Sequence, residues 1–127
     1  MLAGELDVRE GKLETGLASL RAAVAAQDRL AYDEPPGWLI PARHSLGAAL
    51  VSPSRLAEAE KVYREDLAQL PNNGWSLYGL SQTLRLEGHT AEALEVDRRF
   101  HRAWAKADIT IDRSCLCQPP VVTGGEN

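Results

Sequence analysis

Cysteine is scarce in this chain. Among 127 residues there are two, Cys115 and Cys117, one residue apart near the carboxyl end. A disulfide across so short a loop would constrain little of the unfolded chain, so no framework of crosslinks is expected. Zinc needs about four ligands, and neither a second cysteine pair nor a nearby histidine completes a set. The spacing reads as two reduced thiols in a loose tail, with a redox or intermolecular role as the alternative. The three histidines, His44, His89 and His101, lie far apart in the sequence. No Gly-rich phosphate cradle, nucleophile elbow or paired metal-histidine motif appears. Neither catalysis nor a metal or cofactor is therefore expected. Apolar runs are short as well, none near the ~18 residues that span a membrane. The amino terminus, Met1-Leu2-Ala3-Gly4-Glu5, lacks the basic and apolar regions of a secretory signal. A soluble, cytoplasmic protein is the expectation. Positive charge is also lacking: the net charge is −4, and Arg64, Arg85, Arg98, Arg99 and Arg102 are interleaved with acids. A nucleic-acid surface would need clustered Lys and Arg, so none is expected.

What remains is an ordinary globular composition, 44% hydrophobic and 25% charged, in a chain that suits one domain. Its most informative feature is an echo at 34 residues. Leu46-Gly47-Ala48-Ala49-Leu50 recurs as Leu80-Ser81-Gln82-Thr83-Leu84, and Ala57-Glu58-Ala59 recurs as Ala91-Glu92-Ala93. A fixed period of this length with helix-like content marks stacked helix–turn–helix units.

Apolar spacing predicts helices at about Leu2–Arg9, stopped by Gly11, and at Leu13–Ala31, where Leu13, Leu17, Leu20 and Val24 share a face. Tyr32-Asp33-Glu34-Pro35-Pro36-Gly37-Trp38 breaks the pattern, because successive prolines cannot continue a helix. Pro41 suits the first turn of a helix reaching Val51. Ser54 is placed to cap the next, about Arg55–Leu70. Pro71-Asn72-Asn73-Gly74 signals a turn. Helices at about Trp75–Glu87 and Thr90–Ala107 follow, split by Gly88, with Thr90 as cap. The stripe Ala93, Val96, Phe100, Ala103, Trp104 and Ala107 allows the last helix to continue toward Ile111. No strand is expected, since Ile109-Thr110-Ile111 has no partner. Beyond Cys117 the chain reads as an extended tail.

The stretch Leu46-Gly47-Ala48-Ala49-Leu50, Ala57-Glu58-Ala59-Glu60-Lys61-Val62-Tyr63 and Leu70-Pro71-Asn72-Asn73 resembles a tetratricopeptide repeat. Leu46, Gly47, Leu50, Ala59, Tyr63 and Pro71 fill the motif's large, small and closing positions. Small residues at Gly47 and Ala59 let two helices approach while leucines fill the space around them. The next unit keeps Leu80, Ser81, Leu84, Gly88 and Ala93. It departs with Asp97 where an aromatic is usual, and Phe100 stands as the compensating ring. A first, partial unit and some nine extra residues precede this pair, as in the carboxyl-terminal part of larger bacterial proteins of the family. The resemblance implies an all-α array of antiparallel helix pairs, a short right-handed solenoid over residues 1–107. Its best-defined units are 40–73 and 74–107, and 108–127 forms a tail.

In such arrays the first helix of each unit lines a concave face used for binding proteins or peptides. That arrangement assigns Arg43, His44, Ala48 and Val51 to the face from one unit, and Trp75, Tyr78, Gln82 and Arg85 from the next. The expected ligand-contacting residues are Arg43, His44, Trp75, Tyr78, Gln82 and Arg85, joined by Trp38 from the Pro35-Pro36 loop. The family's carboxylate clamp uses Lys and Asn where this chain has His44, Ala48, Tyr78 and Gln82, so a chaperone-tail clamp is not expected. Two alternatives remain. One is self-association into a homodimer, which would cover the apolar stack ends, the alanine-rich second helix and the Val96, Phe100, Trp104 stripe. The other is a small-molecule site beneath the Pro35-Pro36 loop.

Overall fold

The computed structural model describes residues 1–30, 40–52 and 55–118. Among them every regular element is an α-helix: α1 (Leu2–Arg9), α2 (Leu13–Gln27), α3 (Ala42–Val51), α4 (Leu56–Gln69), α5 (Gly74–Leu86) and α6 (Thr90–Trp104). Five helices start and end within a few residues of the expected bounds. The alanine-rich α2 stops at Gln27 instead of Ala31, and α6 stops at Trp104. The expected Ser54 cap and the whole Tyr32–Trp38 loop lie outside the described residues.

Each helix packs on the next, and partner numbers fall on one helix as they rise on the other. Gly74 meets Trp104, Tyr78 meets Phe100 and Ser81 meets Ala93 and Asp97 between α5 and α6. Tyr63 meets Gly79 and Asp66 meets Ser76 between α4 and α5. These pairs are antiparallel. The backbone of α3 also comes close to α1 and α5, whereas among the described residues α2, α4 and α6 meet one another through long side chains, Arg21 to Glu58 and Arg64 to Glu92. The helices α1, α3 and α5 therefore crowd the inner side of the array.

The backbone itself recurs. The residues that open α2, α4 and α6 are Lys12 (φ −85°, ψ 59°), Arg55 (−86°, 56°) and His89 (−81°, 56°). Gly11 and Gly88 precede two of them in the left-handed region, at φ 80° and 82°, which glycine adopts without steric cost. His89 thus opens α6, and Thr90, expected as the cap, is its first helical residue. The crossing positions recur too. Gly4 lies against Leu20, Gly47 against the ring of Tyr63, and Ser81 against Asp97. Where the facing residue is a ring the small partner has no side chain; where it is a carboxylate the partner is a hydroxyl that donates to it. Ser81 thereby accounts for the departure at Asp97. Phe100 does not take the missing ring's place. It sits at the edge of Tyr78 and stacks on Trp104.

The core runs through the stack as one cluster. Leu46 and Leu80, Leu50 and Leu84, and Ala59 and Ala93 are all buried in it. At about 25 cal/mol per Å² of apolar surface removed from water, burying such leucines favours the folded chain. No helix among the described residues is long and apolar enough to cross a membrane.

Candidate functional site

The segment after α6 overturns the expectation of a loose tail. Residues 111–118 run back across the inner side of the array, with Ile111, Ser114 and Cys115 buried. Tyr78 Oη donates to the carbonyl of Asp112 at 2.9 Å, and Tyr63 Oη donates to Ser114 Oγ at 2.6 Å. Arg9 of α1 donates to the carbonyl of Cys117 at 2.6 Å. The chain turns there, Gln118 N–H bonding the Cys115 carbonyl. That turn brings Cys115 and Cys117 together as a disulfide, with Cα atoms 5.1 Å apart. The expected pair of reduced thiols is thus corrected, because the segment is folded against α1, α3, α4 and α5 instead of trailing. Residues 119–127 lie outside the described residues.

This strap divides the inner face into two cavities. One, of about 540 Å³, is lined by Met1, Leu2, Glu5 and Leu6 of the amino-terminal end, His44 and Ser45 of α3, Trp75 of α5 and the disulfide. The other, of about 410 Å³, is lined by Val8, Ala48, Ala49, Ser52 and Gln82 with Asp112 and Arg113 of the strap. Glu5, Arg9, Ser45 and Cys117 border both.

The expected binding residues divide among several places. Trp75 and His44 reach the first cavity, Gln82 reaches the second, and Tyr78 holds the strap. Burial raises the Tyr78 hydroxyl above its ordinary pKa and the Asp112 carboxylate adds to this, while a hydrogen bond from Gln82 opposes it. The phenol stays a donor at neutral pH. Arg43 and His44 are buried and already paired. Arg43 makes two 2.7 Å bonds to Asp28, which hold its own pKa up and the Asp28 carboxyl below its usual range. Arg43 faces α2 and α4, away from both cavities. His44 Nε2 lies 2.7 Å from Asn73 Nδ2 and 3.4 Å from Asp66 Oδ2. Asn73 and Ser76 both donate to the same buried Asp66 oxygen, and Asn73 accepts from Trp75 N–H to open α5. That network joins α3, α4 and α5, so His44 serves the frame as well as the cavity wall. Arg85 pairs with Asp97 of α6. Trp38 and the Pro35-Pro36 loop lie outside the described residues.

Sequence reasoning did not single out Glu5, Arg9, Ser45 or Tyr63 as neighbours of a site. The one available signal was an apolar Ile109–Ile111 run followed by Cys-Leu-Cys beyond the last helix, which is more than a solvated tail requires.

Among the described residues, two groups of potential metal ligands bring their atoms within 4.8 Å: Glu5, Cys115 and Cys117, and Glu60, Glu87 and His89. In the first the sulfurs are bonded to each other. In the second Arg64 already binds Glu60 at 2.7 Å and competes for the carboxylate. Neither supplies the four ligands of a structural zinc site.

No family model, curated protein or solved structure matches the chain.

Proposed function

We propose that this chain is a tetratricopeptide-like helical-repeat module that binds polypeptide along its inner face. The observation that carries the reading is the strap. Tyr78 and Arg9 grip it through main-chain carbonyls, contacts that any extended peptide offers irrespective of sequence. Recurrence of the same helix openings and crossings at matched positions supports the repeat assignment. The two cavities beside the strap leave room for side chains of a second segment, with Trp75 and Gln82 on their walls. Aromatic side chains at the edge of such a groove are common energetic anchors.

The test is a random peptide library panned on the folded chain, followed by titration of the enriched peptides. Trp75→Ala together with Gln82→Ala is expected to weaken binding at least tenfold while helicity is unchanged. A library that yields no enriched peptide, or binding indifferent to this pair, overturns the reading.

A further inference from the structure

Within a three-residue ring the Cys115–Cys117 disulfide adds little to the fold by constraining the unfolded chain. Its surroundings fit a different task. Cys115 is 4% exposed, whereas Cys117 is half-buried and borders both cavities. The Cys117 N–H donates to Cys115 Sγ at 3.0 Å, and Ser45 Oγ lies 3.5 Å from the same sulfur. Ser45 in turn donates to Glu5 Oε1 at 2.6 Å. The two sulfurs are therefore unequal: one is open to attack, and the other is equipped to receive charge and then a proton. Arg9, bonded to the Cys117 carbonyl, places a positive charge beside the turn. Positive charge and N–H donors favour a thiolate over a thiol.

We propose that this disulfide is a thiol–disulfide exchange site that oxidises a dithiol carried on an apolar stretch of polypeptide. The substrate class follows from the adjoining 540 Å³ cavity, whose walls include Met1, Leu2, Leu6, Ile40 and Leu116. The choice of substrate rests on the peptide-binding reading above, whose cavity it shares, and the disulfide adds chemistry that a plain scaffold lacks. A substrate thiol loses its proton to solvent and its sulfur attacks Cys117 Sγ. A substrate–Cys117 disulfide forms, the Cys115–Cys117 bond breaks, and its electron pair leaves on Cys115 Sγ. That thiolate is held by the Cys117 N–H, beside the Ser45 hydroxyl, and takes a proton from solvent. The substrate's second thiol then loses its proton to solvent and its sulfur attacks the first, forming the substrate disulfide and releasing Cys117 as a thiolate, which takes a proton from solvent. Two electrons pass from the substrate to the chain, which ends as a dithiol. Stabilising the reduced form in this way makes a disulfide a stronger oxidant.

The test uses the oxidised full chain and a synthetic leucine-rich peptide bearing two cysteines, with an oxidised hexapeptide of residues 113–118 as control. The folded chain is expected to oxidise the probe at least tenfold faster than the hexapeptide. Leu6→Glu, at the cavity wall, is expected to slow the reaction with the apolar probe at least tenfold more than the reaction with dithiothreitol. In single-cysteine variants, the Cys117 thiol of Cys115→Ser is expected to react with oxidised glutathione at least tenfold faster than the Cys115 thiol of Cys117→Ser. Ser45→Ala should slow reduction of the disulfide and alter its pH profile. Equal rates for chain and hexapeptide overturn the proposal, as does a Cys115 thiol that reacts as fast as Cys117.

Discussion

Tyr63 touches three other parts of the molecule at once. Its ring on α4 lies between Gly47 of α3 and Gly79 of α5, and a Cβ at Gly47 would come within 2.6 Å of the ring. Its hydroxyl reaches the strap at Ser114. Burial raises the pKa of this phenol, the bond to Ser114 offsetting only part of that, so it remains a neutral donor over the whole accessible pH range. Tyr63→Phe keeps the ring and removes one buried hydrogen bond, at an expected cost of about 1 kcal/mol in urea unfolding. The same change should speed amide exchange in residues 111–118, because the strap loses its central tie. A Tyr63→Phe chain with unaltered strap exchange would show that the hydroxyl does not hold it. The small residues at 47, 59, 81 and 93 were legible as crossing points from their spacing, since a period of 34 repeats the same face of the same helix. That Gly79 also gives way to the ring was not legible. It belongs to the contact between one unit and the next, on which the period within a unit is silent.

Helices are legible because each one's apolar face repeats within the segment itself, and those bounds transferred to the structure with shifts of a few residues. The strap is not of this kind. Residues 111–118 have no periodicity, and their place follows from partners far away in sequence: Arg9, Ser45, Tyr63 and Tyr78. The apolar stripe of α6 shows the same limit in reverse. Val96, Phe100 and Trp104 read as a stack end in need of cover, yet Val96 is buried, Phe100 meets Tyr78 of α5, and Trp104 packs on Gly74 of α5. The outward face of α6 carries Glu92, Glu95, Arg98 and Arg102, the polar cap that a repeat array needs. Contacts between elements also bring like charges together. Glu60 on α4 and Glu87 at the end of α5 face each other. Arg64 holds the Glu60 pKa down, while burial first, and then Glu60, push the Glu87 pKa up. A carboxyl with a raised folded-state pKa binds its proton more tightly when folded. Its penalty is absent below the usual glutamate range near 4.5, grows as pH rises toward the folded value, and is constant above that. Glu87→Gln is therefore expected to raise the melting temperature at pH 7 and to have little effect at pH 3.5. A gain that is larger in acid than at neutrality would reverse this assignment.

At the scale of the whole molecule, the strap changes what kind of object the array is. In a plain helical repeat each unit contacts only its neighbours, so stability is a sum of local terms and the ends unfold before the middle. Here one segment joins α1 through Arg9, α3 through Ser45, α4 through Tyr63 and α5 through Tyr78. Opening either end then costs contacts shared with the other, which couples units that do not touch through their helices. The full chain is expected to unfold in urea as one transition, with fluorescence and circular dichroism giving the same midpoint. Truncation after Ala107 removes the strap and leaves all six helices in place. The shortened chain should be less stable, with a shallower transition whose midpoint differs between the two probes, because α1–α2 and α5–α6 can then open separately. Hydrogen exchange would locate the change: protection in α1 should fall toward that of a frayed end while the α3–α4 core keeps the most. If truncation lowers the midpoint but leaves the transition as sharp as before, the helix-to-helix contacts alone carry the cooperativity, and the strap only occupies the groove.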